Sequence, residues 1–371
     1  MAPTSSSSVD LLYRDDPDLS VLAAELEHGK CIVFAGAGVS IPSGLPSWPE
    51  LQRTMKSRAQ LRNDYSALRV ADCCRQVLGN RTFNEMLAES VGRAGRPGAL
   101  HRKIAELPVK LFATSNYDTL LERAIRDGTG TDPRILSLSE QSQWLYIPEQ
   151  PVEPWVLKVH GCVDRCRDLL VISEEDYLSF ATTYSHVAKG LHELFARHPV
   201  LFLGYSLGDW DVLNVLHHSR LSLNEDVPNR YFVGFGMELP EKRFLEQRYR
   251  LRVFDLEGPH RAGHVDKTAA LLQFLDDVIE RFRIPVWLRD IIVGLGGRVE
   301  ERGALDASVV SLFPDFDVSA AVRLAVRIKA KRSIDIPVEP LAADGMTLRG
   351  LLRIINQAEE AARAGKEEGD G

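Results

Sequence analysis

Four short stretches of this 371-residue chain combine residue types suited to holding and cleaving a phosphate-bearing ligand. The first is Gly36-Ala37-Gly38-Val39-Ser40, directly after the apolar run 31–35. A strand followed at once by Gly-x-Gly lets the backbone approach a pyrophosphate, with nearby N–H groups donating to it. Ile41 stands where the dinucleotide fingerprint has its third glycine, and no acidic ribose partner follows at the usual spacing of about 20 residues. The second stretch, Thr114-Ser115-Asn116-Tyr117-Asp118, puts an amide and a carboxylate at the end of the run 109–114. Asp118 could equally cap the next helix, and Asn116 make a turn. The third, His160-Gly161, follows the run 155–159 and offers an imidazole that titrates near neutrality. The fourth, Gly204-Tyr205-Ser206-Leu207 with Asp209 behind it, follows the run 200–203.

Such residues act together only if one scaffold gathers the ends of their strands. The apolar runs 31–35, 109–114, 155–159, 169–172, 200–203, 231–235 and 251–254 read as strands, several without polar alternation, as strands covered on both faces must be. Helical stretches lie between them, most plainly at 191–196, 209–218, 241–250 and 268–283. This alternation predicts an α/β fold, a Rossmann-like doubly wound parallel sheet with ligands at the carboxyl ends of its strands. Glycine, asparagine, histidine and serine at four such ends then describe one cleft. Residues 45–107 break the alternation and read as an inserted helical subdomain, and 119–150 as helix and loop.

Beyond a boundary near Ile284-Pro285 the pattern turns wholly helical. Leu288, Ile291, Ile292 and Leu295 repeat at helical spacing, as do Leu348, Leu351, Leu352 and Ile355, with a third amphipathic helix at 318–330. The expected organisation is a tail and lead-in over 1–20, the sheet domain over 21–284, a helical regulatory or assembly module over 285–361 and a tail over 362–371.

With 45 Lys and Arg against 52 Asp and Glu, the net charge is −7, which argues against a protein built on phosphate-backbone binding. The basic cluster Arg323, Arg327, Lys329, Lys331 and Arg332 reads as a solvated helix face, so direct nucleic-acid binding is not expected. No apolar stretch reaches about 18 residues and no signal architecture opens the chain, so a cytoplasmic protein without membrane contact is expected. Five cysteines make a disulfide framework unlikely to be the organising element. Cys162 and Cys166 form one pair with no second pair after it, so no four-ligand zinc site is legible and no metal is expected. Asp176-Tyr177 reads as a helix start and packing.

Taken jointly, Gly36-Ala37-Gly38-Val39-Ser40, Ser43-Gly44-Leu45-Pro46-Ser47-Trp48, Thr114-Ser115-Asn116-Tyr117-Asp118, His160-Gly161 and Gly204-Tyr205-Ser206 occur in the sirtuin order. Over about residues 21–283 the chain resembles the divergent bacterial sirtuin-like branch, which has Ser-Asn-Tyr-Asp where deacetylating sirtuins have Gln-Asn-Ile-Asp. The resemblance implies an NAD site, with NAD as substrate. Gly36, Ala37, Gly38 and Ser40 would cradle the phosphates, and Gly204 and Ser206 would line the adenosine half. Asn116 would position the nicotinamide ribose or the attacking water, Asp118 would hold the nicotinamide end, and His160 would act as general base.

It further implies an NAD+ glycohydrolase that yields nicotinamide and ADP-ribose, acting as a triggered effector of antiphage defence. A homo-oligomer is expected, and a partner such as an ATPase, a nucleotide sensor or an Argonaute-like protein fits that role. Two other readings remain open at this point. One is an NAD-dependent protein deacylase, although zinc-bearing sirtuins carry two Cys-x-x-Cys pairs after their His-Gly. The other is a module that senses NAD or ADP-ribose without turnover.

Overall fold

The computed structural model describes residues 12–92, 95–165, 169–223, 226–256, 266–282, 286–299, 307–313, 316–341, 345–348, 350–352, 354–355 and 357–358. Helix α1 (Pro17–Glu27) leads into β1 (Ile32–Ala35) and the single turn α2 (Ala37–Ser40). Four helices follow before the next strand: α3 (Trp48–Arg58), α4 (Ala67–Leu78), α5 (Asn80–Gly92) and α6 (Ala99–Ala105). The chain then runs through β2 (Leu111–Thr114), α7 (Leu120–Thr129), β3 (Arg134–Leu136), β4 (Trp155–Lys158), α8 (Glu174–Thr183) and α9 (Ser185–Arg197). It continues as β5 (Val200–Leu203), α10 (Trp210–Leu223), β6 (Arg230–Gly234), α11 (Leu239–Tyr249), β7 (Leu251–Asp255) and α12 (Lys267–Phe282).

The seven strands form one sheet in the order β3-β4-β2-β1-β5-β6-β7, and every pairing is parallel. This is the Rossmann-like α/β fold that the alternation implies, with the order reversing direction between β1 and β5. The register makes the site possible. Ala35 pairs with Thr114 on one side and Leu203 on the other, and Thr114 pairs with Lys158. Four strands therefore finish level, and the loops after β1, β2, β4 and β5 leave from one edge.

Every residue of those four strands is buried. Helices cover both faces, which is why the runs lack polar alternation. Under β1 and β5 the core is aromatic: Phe34 meets Phe202 at 5.2 Å and Tyr205 at 4.9 Å between ring centroids. At the opposite edge of the sheet, fully buried Arg230 opens β6 and donates to the carbonyls of Leu216 at 2.9 Å and Tyr249 at 3.1 Å. Tyr249 ends α11, so the guanidinium meets the negative end of that helix. Burial pulls its pKa down to about 10.

Two strand expectations need correction. Residues 169–172 form no strand. Their apolarity comes from burial: Leu170 and Ile172 join a core with Met55, Val70, Phe83 and Leu87 of the helical insert, and Tyr117 donates to the Val171 carbonyl at 2.7 Å. Conversely, β3 lies within a stretch expected to be helix and loop. It is a three-residue edge strand whose first residue is exposed, too short and too polar to announce itself.

The chain divides into two compact units, residues 1–277 and 278–371. In the second, α13 (Val286–Gly294), α14 (Val318–Arg332) and α15 (Val338–Leu341) enclose a core that includes Leu288, Ile292, Leu324, Ile328, Leu341 and Leu351. Arg323, Arg327, Lys329, Lys331 and Arg332 all lie on exposed positions of α14. Ile284-Pro285, residues 1–11 of the expected lead-in and the tail expected over 362–371 lie outside the described residues. Among the described residues no helix is long and apolar enough to cross a membrane.

Candidate functional site

The loop after β1 is fastened to the loop after β5 by contacts only glycine permits. A Cβ on Gly36 would lie 2.6 Å from the Gly204 carbonyl oxygen and the Tyr205 Cα, and one on Gly38 would lie 2.8 Å from that same oxygen. Gly204 itself has φ +58 and no room for a Cβ, which would meet the Val39 nitrogen at 2.7 Å. Backbone bonds complete the joint: Gly36 N–H donates to the Leu203 carbonyl at 2.9 Å, and Gly38 N–H to the Gly204 carbonyl at 2.8 Å. These two N–H groups are thereby engaged with the neighbouring loop.

Above this joint lies an open cleft with two unlike walls. Leu45, Pro46, Trp48, Leu51 and Val91, all from the helical insert, make one wall apolar. Ser40, Ser115, Asn116, Asp118, His160 and Asp209 make the other polar, with Ala37 and Tyr117 completing the lining. An apolar cleft with a few convergent polar groups at strand ends is where a ligand is expected in such a sheet.

Asn116 sits where β2 has ended. Its backbone N–H donates to Thr114 Oγ1 at 3.0 Å, and that hydroxyl donates to the Ala35 carbonyl at 2.7 Å, tying the turn to β1. The carboxamide Nδ2 donates to the Gly36 carbonyl and to Ser40 Oγ, both at 3.0 Å. Both amide hydrogens are spent on the β1 loop, which leaves Oδ1 as the acceptor available to a ligand. Asp118 lines the cleft and also accepts from Leu120 N–H at 2.9 Å, capping the start of α7.

His160 follows β4, the strand beside β2, and its side chain is buried at the cleft wall. Nε2 lies 2.8 Å from Oδ2 of buried Asp211 at the start of α10. Asp211 Oδ1 is buried with no hydrogen-bond partner. The imidazole packs edge-on against Tyr177 at 5.3 Å, and Tyr177 donates its hydroxyl to Asp209 at 2.7 Å. Burial pushes the imidazole toward neutrality, but Asp211, Asp209 and Asp176 outweigh it and raise the pKa to about 9. The ring therefore carries its proton at neutral pH.

Beneath the loop 115–118 lies a buried ion pair: Lys158 Nζ stands 3.0 Å from Glu122 Oε1, with both side chains almost wholly inaccessible. Lys158 also donates to the Asp118 carbonyl. Burial opposes the ammonium, but Glu122 and Asp118 hold it charged. Lys158→Met would strand a carboxylate in the core and release the loop. It is expected to cost about 3–5 kcal/mol, read by urea or thermal unfolding.

Of the residues singled out in the sequence, Ala37, Ser40, Asn116, Asp118 and His160 share the cleft lining. Gly36, Gly38 and Gly204 stand behind it as the joint, and Ser206 is exposed on the β5 loop outside the lining. Asp176 lies in the first turn of α8 and pairs with Arg75 at 2.7 Å. Sequence reasoning missed Asp211 as the partner of His160, although Asp209-Trp210-Asp211 sets two carboxylates just after a strand end. It also missed the apolar wall and His101, which bonds Ser40 at 3.1 Å. Among the described residues no group of three or more His, Cys, Asp or Glu side chains could hold a metal. Cys162 is buried, and Cys166 lies outside the described residues.

The sequence profile of the SIR2-like domain matches residues 110–254, from β2 through β7, and takes in Asn116, His160 and Asp211. Over that stretch the chain is similar to the SIR2-like domain. Curated relatives agree with that placement. The protein named NAD(+) hydrolase ThsA of Cytobacillus dafuensis is 24% identical over 272 residues, covering 69% of this chain and 54% of its own length. The protein of the same name from Acinetobacter baumannii (strain 532279) is 25% identical over 311 residues, covering 79% and 60%. Defense-associated sirtuin 2 of Bacillus subtilis is 26% identical over 216 residues, covering 56% and 21%. The chain thus spans little more than half the length of the first two. The β1 glycine loop and the helical insert precede the matched part of the SIR2-like domain but supply the joint and the apolar wall of the same cleft.

Proposed function

We propose that this protein hydrolyses NAD+ to nicotinamide and ADP-ribose, a reading in line with its relatives named NAD(+) hydrolase. The observation that carries this reading is the pairing of Asn116 and His160 from neighbouring strand ends on the polar wall of one cleft, opposite an apolar wall. Breaking the nicotinamide–ribose bond develops positive charge on the ribose, as glycoside cleavage does. Nicotinamide leaves without an acid, so the protein needs to orient the reacting carbon, shield the charge and deliver water. The apolar wall suits the flat, uncharged leaving group. Asn116 Oδ1 would orient the ribose or the water, and His160, once deprotonated, would take the proton of the water. Asp118, Asp209 and Asp211 supply the negative field such a transition state favours.

Within this reading the protein is a triggered effector of antiphage defence. It works as a homo-oligomer or with a partner protein, and the helical module at 285–361 controls it. The test is incubation of the purified chain with NAD+, with and without an acetylated peptide, followed by product chromatography and light scattering. Nicotinamide and ADP-ribose in equal amounts, independent of peptide, are expected from an oligomeric protein. Nicotinamide release that requires the peptide would make it a deacylase. Tight NAD+ binding with no release would make it a sensor.

A further inference from the structure

The β1 loop is braced from behind by a histidine with no place in the chemistry described so far. His101 lies on α6, buried, and its Nδ1 accepts from the Gly98 N–H at 3.2 Å, closing the first turn of its own helix. An imidazole that accepts at Nδ1 and is neutral carries its hydrogen on Nε2. Burial holds this imidazole below its ordinary pKa, against the pull of Asp118. Nε2 stands 3.1 Å from Ser40 Oγ, so His101 donates and Ser40 accepts. Ser40 Oγ also accepts from Asn116 Nδ2 at 3.0 Å. With both acceptor directions filled, the Ser40 proton is the one group left to turn into the cleft that Ser40 lines.

This ordering rules out the more familiar meaning of a serine beside a histidine. For His101 to activate Ser40 as a nucleophile, Nε2 would have to be unprotonated, and the Gly98 N–H would lose its acceptor.

We propose that His101 is a positioning residue for the cleft. By donating to Ser40 it fixes the direction of the Ser40 hydroxyl, which donates to a ligand oxygen, and the face that the Asn116 carboxamide turns to the ligand. The proposal rests on the hydrolase reading, with a ribose or phosphate oxygen as the acceptor.

The test compares three variants by nicotinamide release. His101→Leu keeps bulk but has no donor, and is expected to lower kcat roughly 10- to 100-fold with KM for NAD+ moving less than about 3-fold. His101→Gln stands at the helix position from which a glutamine reaches back to the cap N–H, and its amide can donate onward. It is expected to recover most of the loss. Adding His101→Leu to Ser40→Ala is expected to cost nothing further, because His101 acts through Ser40. No recovery with glutamine in a chain that melts like wild type, or losses that multiply in the double variant, would overturn the proposal. Side-chain 15N spectra give a readout independent of turnover: His101 is expected as the neutral Nε2–H form at pH 7 to 8, assigned by its disappearance in His101→Gln. The Nδ1–H form or an imidazolium there would also overturn it. A wild type that releases no nicotinamide counts against the hydrolase reading, and the spectrum then decides His101 by itself.

Discussion

Asn116→Ala is expected to lower nicotinamide release by about 10³-fold while the protein melts within a few degrees of wild type. The two halves of that expectation come from different atoms. Activity falls because Oδ1 is the carboxamide's only atom not committed to the β1 loop. Stability falls little because the lost bonds join a half-buried side chain to Gly36 and Ser40, an exchange worth about 1–2 kcal/mol. Stopped assays with product chromatography read the first, and circular dichroism the second. Activity within about threefold of wild type would remove Asn116 from the reaction.

The second large effect is on pH dependence. A base whose proton is held to about pH 9 is mostly blocked at pH 7. If His160 takes the proton of the water, the rate climbs about tenfold per pH unit below that value, or roughly 50-fold between pH 7 and 9. Asp211→Asn removes the carboxylate charge 2.8 Å from the ring and moves this rising limb to lower pH. A rate that falls as the pH rises would make the imidazolium, and not the imidazole, the working form. Stability follows the same proton with the opposite consequence. Because the folded-state pKa lies above the ordinary value of about 6.5, the ion pair stabilises fully below pH 6.5, and its contribution is lost as pH rises through about 9. His160→Ala does not separate these effects. It leaves the Asp211 carboxylate buried and unpaired, a loss of about 3–5 kcal/mol that chemistry did not cause. Asp211→Asn keeps the volume and a hydrogen-bonding group, so the pH–rate profile remains interpretable.

The sheet was legible because its central strands are buried on both faces, and such strands must be apolar throughout. The same rule misled at 169–172, where a segment crossing beneath the insert is apolar for burial and pairs with no strand. It was blind to β3, whose three edge residues do not need it. Candidate site residues emerged where glycine, amide or imidazole directly follows a strand, and the level register brings Asn116, His160 and Ser40 together. What stayed hidden was set by tertiary contact. Asp211 meets His160 across 51 positions of sequence, and His101 meets Ser40 across 61. Neither spacing has a local periodicity to betray it. The glycines were legible as a motif, yet much of their physical necessity is the close approach of the β5 loop, which a motif read in isolation cannot contain.

That approach also sets the two sides of the cleft apart. With Gly36, Gly38 and Gly204 in backbone contact, the two halves of the floor are joined main chain to main chain. The side carrying Leu45, Trp48, Leu51 and Val91 is held instead by side-chain packing and not by strand pairing. That side can be repacked at Leu45, Leu51 or Val91 while the backbone joint of the floor stays in place.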